Sequence, residues 1–283
     1  MDWSKAKTLT IIFLLLLDIF LGMLNYRERD KYTMSARQIG AITDLLNKNN
    51  IRLKTALPHS YRPMRQLSVS GYAYDESELI DMFFSDPANA RREDQPFKTV
   101  YVSGDQTLTL QNGHITFDCP SGSNKIELTE DNAVREARGF LAGKNAMQDF
   151  VPDSVYMDSE GCWVRFCQKY KNDLIYTNYA EFLITGAGIV RIDSVYSNPK
   201  GYAGPPAEIC AVDEIMLHFM QFYKDAYKDL PAEVTKIDLV YYQKEGSTNS
   251  SDTLTAVPHY RIEVAGFDMP FLIDAYLNRL EQV

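Results

Sequence analysis

The feature that most constrains this chain is an apolar run close to its start. Thr8 to Leu24 reads TLTIIFLLLLDIFLGML, 17 residues with a single charge. As a helix rising about 1.5 Å per residue it spans roughly 25 Å. That is at the short end of what a bilayer core requires. Lys5 and Lys7 precede the run, so the positive-inside rule places the amino terminus in the cytoplasm. Trp3 stands where an interfacial aromatic belongs, and Trp3, Lys5 and Lys7 are the expected membrane-interface anchors. Everything from about Asn25 onward is then expected outside the cytoplasm. A cleaved signal peptide is the competing reading. Against it, Leu21-Gly22-Met23-Leu24-Asn25-Tyr26 offers no small-x-small cleavage site. A single run excludes a multi-span membrane protein.

The charge inside the run is Asp18. An ionisable side chain near a bilayer centre costs on the order of 2.5–3.5 kcal/mol, so it needs a use or a partner. Helical spacing puts Ile11, Leu14, Asp18, Gly22 and Asn25 on one stripe. Small residues let a second helix approach, and polar ones bond across to it. Leu14, Asp18, Gly22 and Asn25 are therefore the expected contact with a partner transmembrane helix.

The remaining chain reads as an acidic globule. Without Asp2, Lys5, Lys7 and Asp18 it holds 27 basic and 36 acidic residues. That balance disfavours nucleic-acid binding, which needs a basic face. About 250 residues are ample for a packed core. Tyr26 to Thr33 reads as a polar linker, and Ser35 as the cap of a helix reaching about Asn47. Glu76 to Phe84 reads as a short helix and 88–96 as a polar loop. Thr107 to Asp118 is a hairpin turning at Asn112-Gly113, with Leu110 opposite Ile115 and Leu108 opposite Phe117. A helix-then-strands pattern then occurs twice. A helix from about Thr129 precedes strands at 154–157, 162–170, 175–185 and 189–196. A Pro/Gly-rich joint follows at 198–206. A helix at 212–227 precedes strands at 234–243, 253–264 and 269–276, with an exposed loop at 245–252. The expected fold class is α+β, an apolar amino-terminal helix followed by tandem helix and antiparallel-sheet modules.

Catalytic motifs are sparse. His59, His114, His218 and His259 are isolated in sequence, with no metal-ligand spacing. Gly186-Ala187-Gly188 lacks the third glycine of a dinucleotide loop. Two chance SxxK matches lack their companion motifs. No cofactor, metal or catalytic residue is expected. Cys119, Cys162, Cys167 and Cys210 allow three disulfide pairings, or none. The rival functional class is an anchored cell-wall enzyme or ligand receptor. It would use a cleft between modules lined by acids such as Asp158, Glu160 or Glu181.

Three stretches carry a family resemblance. Met1 to Lys7 (MDWSKAK), followed by Leu17-Asp18-Ile19-Phe20-Leu21, resembles the start of the YycI (WalI) family, single-span membrane proteins of Gram-positive bacteria. Phe166 to Tyr170 (FCQKY), Ile175 to Asn178 (IYTN) and the Gly188-Ile189 hairpin are similar to its soluble part. Pro258 to Ile262 (PHYRI) and Phe271 to Tyr276 (FLIDAY) resemble the terminal hairpin of YycH, YycI and PepSY-like domains, with Tyr260 where Trp is usual. The resemblance implies a non-enzymatic regulator. It would act with a YycH-like sister protein on a sensor histidine kinase of the WalK type, through transmembrane helix contacts, in cell-wall homeostasis. The organisation expected is a cytoplasmic tail (1–7), a transmembrane helix (8–24), a linker (25–33), an amino-terminal α+β module (34–128), and two helix-plus-sheet modules (129–200 and 206–283).

Overall fold

A computed structural model describes residues 3–71, 75–111, 113–142, 149–228, 230–243 and 253–281, with the side chains of 4–6, 25–30 and 253 outside that description. The elements run α1 (Trp3–Lys31), α2 (Ala36–Lys48), β1 (Ile51–Leu53), β2 (Met64–Gly71), α3 (Glu76–Phe83), β3 (Arg91–Gln95), β4 (Lys98–Ser103), β5 (Gln106–Gln111), β6 (His114–Asp118), α4 (Glu130–Ala142), β7 (Phe150–Met157), β8 (Cys162–Tyr170), β9 (Asp173–Thr185), β10 (Gly188–Val195), β11 (Ser197–Ala207), α5 (Val212–Tyr227), β12 (Ala232–Tyr242), β13 (Thr253–Val264), β14 (Phe271–Asp274) and β15 (Arg279–Glu281). The class is α+β, with an apolar amino-terminal helix and a largely antiparallel sheet.

Contacts divide the chain into two compact units. One comprises 1–64, 207–238 and 260–283; the other comprises 65–206 and 239–259. Each is built from separated stretches, a different division from successive modules along the chain.

In the first unit α2 is opened by Ser35, whose side chain accepts from the Gln38 amide while Gln38 returns the bond to the Ser35 amide. Its buried face, Ile42 and Leu46, fits packing on α5 and β1. β1 runs parallel to β12, with Ile51 opposite Ala232. β14 and β15 form an antiparallel pair, Leu272 opposite Glu281. Phe219, Tyr223 and Tyr227 of α5 meet Phe271 edge-to-face, and Tyr223 makes tilted contacts with Phe219 and Tyr227. Arg261 is 1% exposed and is held by both carboxylate oxygens of Asp238 at 2.8 and 2.6 Å. Such a buried charge is tolerated because it is paired.

The second unit is built on an antiparallel run in the order β7-β8-β9-β10-β6-β5-β4-β3. Strand alternation sends Leu108, Ile115, Phe117, Val164, Phe182 and Ile192 into one core. Leu79, Met82 and Phe83 of α3 and Ala133, Ala137 and Leu141 of α4 belong to the same core. The hairpin has the expected register: Leu110 opposite Ile115, Leu108 opposite Phe117 and Thr109 opposite Thr116. Gly113 takes φ +81, and Asn112 lies outside the described residues. So does the loop expected at 245–252.

Three segments differ from expectation. Residues 25–31, expected as linker, continue α1 to Lys31. Arg27, Glu28, Arg29, Asp30 and Lys31 place opposite charges three residues apart, which supports a helix. Residues 91–95, expected within a loop, are strand β3, paired along its length with β4. The joint at 198–206 is part of strand β11, which ends the strand order. Prolines fit there because an edge strand can spare amide donors.

Candidate functional site

The candidate site is the surface of α1. Leu, Ile, Phe and Met dominate it and no proline interrupts it, so 29 residues form one helix. Its large apolar side chains lie bare on every side, from Leu17 at 40% exposed to Trp3 at 75%. In the window Lys7–Leu24 none of the helix is buried within the protein, and the helix is long and apolar enough to cross a membrane. A helix apolar all round is not a stable surface in water.

At about 100° per residue, Leu14, Asp18, Gly22 and Asn25 fall within an arc of roughly 80°. Leu14 is 52% exposed, and a Cβ added at Gly22 would meet nothing within 4 Å. The described residues fill neither position, so the arc holds an acid beside a notch. The side chains of Asn25 and Lys5 lie outside the described residues. At the other end of the helix, the Lys7 ammonium sits 5.5 Å from the Trp3 ring centroid, one turn away. Two of the three expected interface anchors are thus in contact.

Where α1 ends, a group of residues not singled out in the sequence holds it. The Tyr61 hydroxyl donates to the Lys31 carbonyl at 3.2 Å, and the Tyr61 amide donates to the Tyr32 carbonyl at 3.0 Å. The Met34 amide donates to the His59 carbonyl at 2.7 Å, and Thr33 bridges Ser60. The Tyr32 hydroxyl donates to Glu208 at 3.2 Å, and its ring meets Tyr61 edge-on at 5.6 Å. Burial, then the charges of Asp213, Glu214, Glu208 and Cys210, holds the Tyr61 phenol above its ordinary value, so it stays a donor. Tyr32 and Tyr61 are 29 positions apart, and no local pattern links them.

Two of the acids named for a catalytic cleft, Asp158 and Glu181, are engaged in local structure. Asp158 accepts from the amides of Glu160 and Gly161 and from the Trp163 indole. Those amides lead in holding its carboxyl below the ordinary 3.8, with the indole adding to them and burial opposing. Glu181 faces Arg165 at 3.5 Å, and that guanidinium lies over the rings of Tyr179 and Tyr176 at 3.9 and 4.9 Å. Glu76 accepts from Arg92 and from the Tyr101 hydroxyl; burial first, then Glu76, pushes Tyr101 up to about 12. Among the histidines, His114 meets Asp193 and His218 meets Asn278 at 3.0 Å. All four cysteines are free thiols.

The stretches that carry the family resemblance have structural tasks too. Asn178 bonds Gln168 at 2.6 Å and the Ser197 carbonyl at 2.9 Å, while the Ser197 hydroxyl returns to Asn178 at 2.8 Å. All three are buried. Asp274 accepts from the amides of Tyr276 and Leu277, and Asn278 takes φ +50 in the turn that follows.

No protein-family model matches the chain, and no curated protein does. Among solved structures it is similar to an uncharacterised protein from Eubacterium rectale, at a TM-score of 0.55 and 11% identity over 83% of this chain and 91% of that one. This likeness is one of fold alone. The carboxy-terminal domain of YpeB from Bacillus megaterium aligns at a TM-score of 0.44 and 8% identity, over 75% of this chain and 97% of that one.

Proposed function

We propose that this chain is a single-pass membrane protein, cytoplasmic at its amino terminus, whose extracytoplasmic α+β part is not an enzyme. It regulates a sensor histidine kinase of the WalK type together with a YycH-like sister protein, as its resemblance to the YycI family implies. The observation that carries this reading is the arc of α1. An acid stands beside an open glycine position on a helix whose window Lys7–Leu24 is left uncovered by the described residues. A carboxylate in lipid is costly alone and useful against a second helix. Regulation is then a population shift. A helix that packs better against one kinase conformation biases the kinase by the difference in affinity.

Replacing Asp18→Leu tests this. The variant should insert into membranes as before and lose most of its co-purification with the kinase or sister protein. A difference of about 1.4 kcal/mol across the helix contact corresponds to a tenfold loss in association. Undiminished co-purification would refute the contact.

A further inference from the structure

The continuous helix and its held end belong together. Between the last residue of α1, Lys31, and the first of α2, Ala36, only four residues intervene. Those residues carry the amide bonds of Met34 and Tyr61 and the bridge from Thr33 to Ser60. Tyr61 occupies the Lys31 carbonyl, one of the acceptors that a helix end leaves open. Tyr32 adds an edge-on ring contact and reaches Glu208 on the segment leading into α5.

That segment is itself fastened. The Cys210 amide donates to the Ala275 carbonyl at 2.7 Å, and the Tyr260 hydroxyl donates to the Cys210 carbonyl at 3.0 Å. The Tyr276 hydroxyl donates to the Met64 carbonyl at 2.9 Å. The end of α1 is thus tied to both long return segments of its unit.

We propose that the Tyr32–Tyr61 clasp makes α1 and the first unit a single rigid body, so that any force turning the unit turns the Asp18 face of the helix with it. From Asp18 to Lys31 is about 20 Å of unbroken helix, so rotation at the clasp arrives undamped. A flexible linker would lose the azimuth of the helix, whereas a clasped helix keeps it. This deepens the proposed function and rests on it for its consequence, though the rigidity stands independently of any partner.

The test is a distance measurement by pulsed electron spin resonance on the full chain in lipid nanodiscs. Genetically encoded nitroxide side chains replace Met23 on α1 and Leu277 on the first unit, both more than 60% exposed. A second pair at Leu45 and Leu277 reports on the unit alone. The clasp predicts a narrow Met23–Leu277 distribution in the native chain. In the double variant Tyr32→Ala with Tyr61→Ala it should widen at least twofold, while the Leu45–Leu277 pair stays unchanged. A broad distribution in the native chain overturns the proposal, and so does an equally narrow one in the double variant. The native width decides rigidity by itself, so the claim stays testable if the double variant fails to fold. No partner is present, so this outcome is independent of the Asp18→Leu result.

Discussion

Asp158 shows how one carboxylate can set a local structure. It ties down the turn between β7 and β8 and fixes the Trp163 ring, whose neighbour across the hairpin is Tyr156. Its carboxyl lies below the ordinary 3.8, chiefly through the bonds from the turn amides. A depressed acid contributes stability that is present above its unfolded value and lost as pH falls through the folded one. In a Trp3→Phe background, Trp163 fluorescence should therefore change only below about pH 3.8, and Asp158→Asn should abolish that step. A midpoint above the ordinary value would contradict the assignment. Asn178 makes a different point. Asn178→Ala leaves Gln168 and the Ser197 carbonyl without a buried partner, which should cost about 3 kcal/mol in urea unfolding of the full chain. These pairings are not legible in sequence, because Gln168, Asn178 and Ser197 meet only once the strands are registered.

At the level of elements, legibility followed periodicity. The β5–β6 hairpin alternates apolar and polar residues around a glycine turn, so its register could be counted from the chain. α5 carries a clear apolar stripe and begins and ends where the sequence places it. β3 has no apolar alternation: RREDQ is charged or polar and exposed throughout, and it is a strand only because β4 supplies its partners. Those charges guard an edge against pairing with another chain. Replacing Arg92→Val and Glu93→Val together should leave the fold intact and produce concentration-dependent self-association in size-exclusion chromatography. A monomeric elution unchanged over a hundredfold concentration range would show that the charges do not guard the edge. Gly188, which opens β10, works by close approach. It takes φ +88, and an added Cβ would lie 2.5 Å from the Asn124 carbonyl oxygen. Gly188→Ala should cost at least about 2 kcal/mol, read from the urea midpoint.

For the whole molecule, the apolar amino-terminal helix was the more readable part. The arc of Leu14, Asp18, Gly22 and Asn25 follows from helical spacing alone, and the structure leaves the described part of it uncovered. The assembly of the rest was not readable, because each unit draws on stretches far apart in the chain. Local patterns name elements without saying which distant stretches they join. The hold on the end of α1 belongs to that second kind. It depends on two tyrosines that only the folded chain brings together. The central claim concerns the face of α1, and one measurement addresses it directly. Photo-cross-linking side chains would be placed singly at Ile11 and Leu14, which share the Asp18 stripe and leave Asp18 and Gly22 in place, and at Leu16, Phe20 and Met23 on the opposite side, in the native membrane. The account predicts capture of the WalK-type kinase or the YycH-like protein from the first two positions and little from the others. Capture equal on both sides, or from neither, would contradict it.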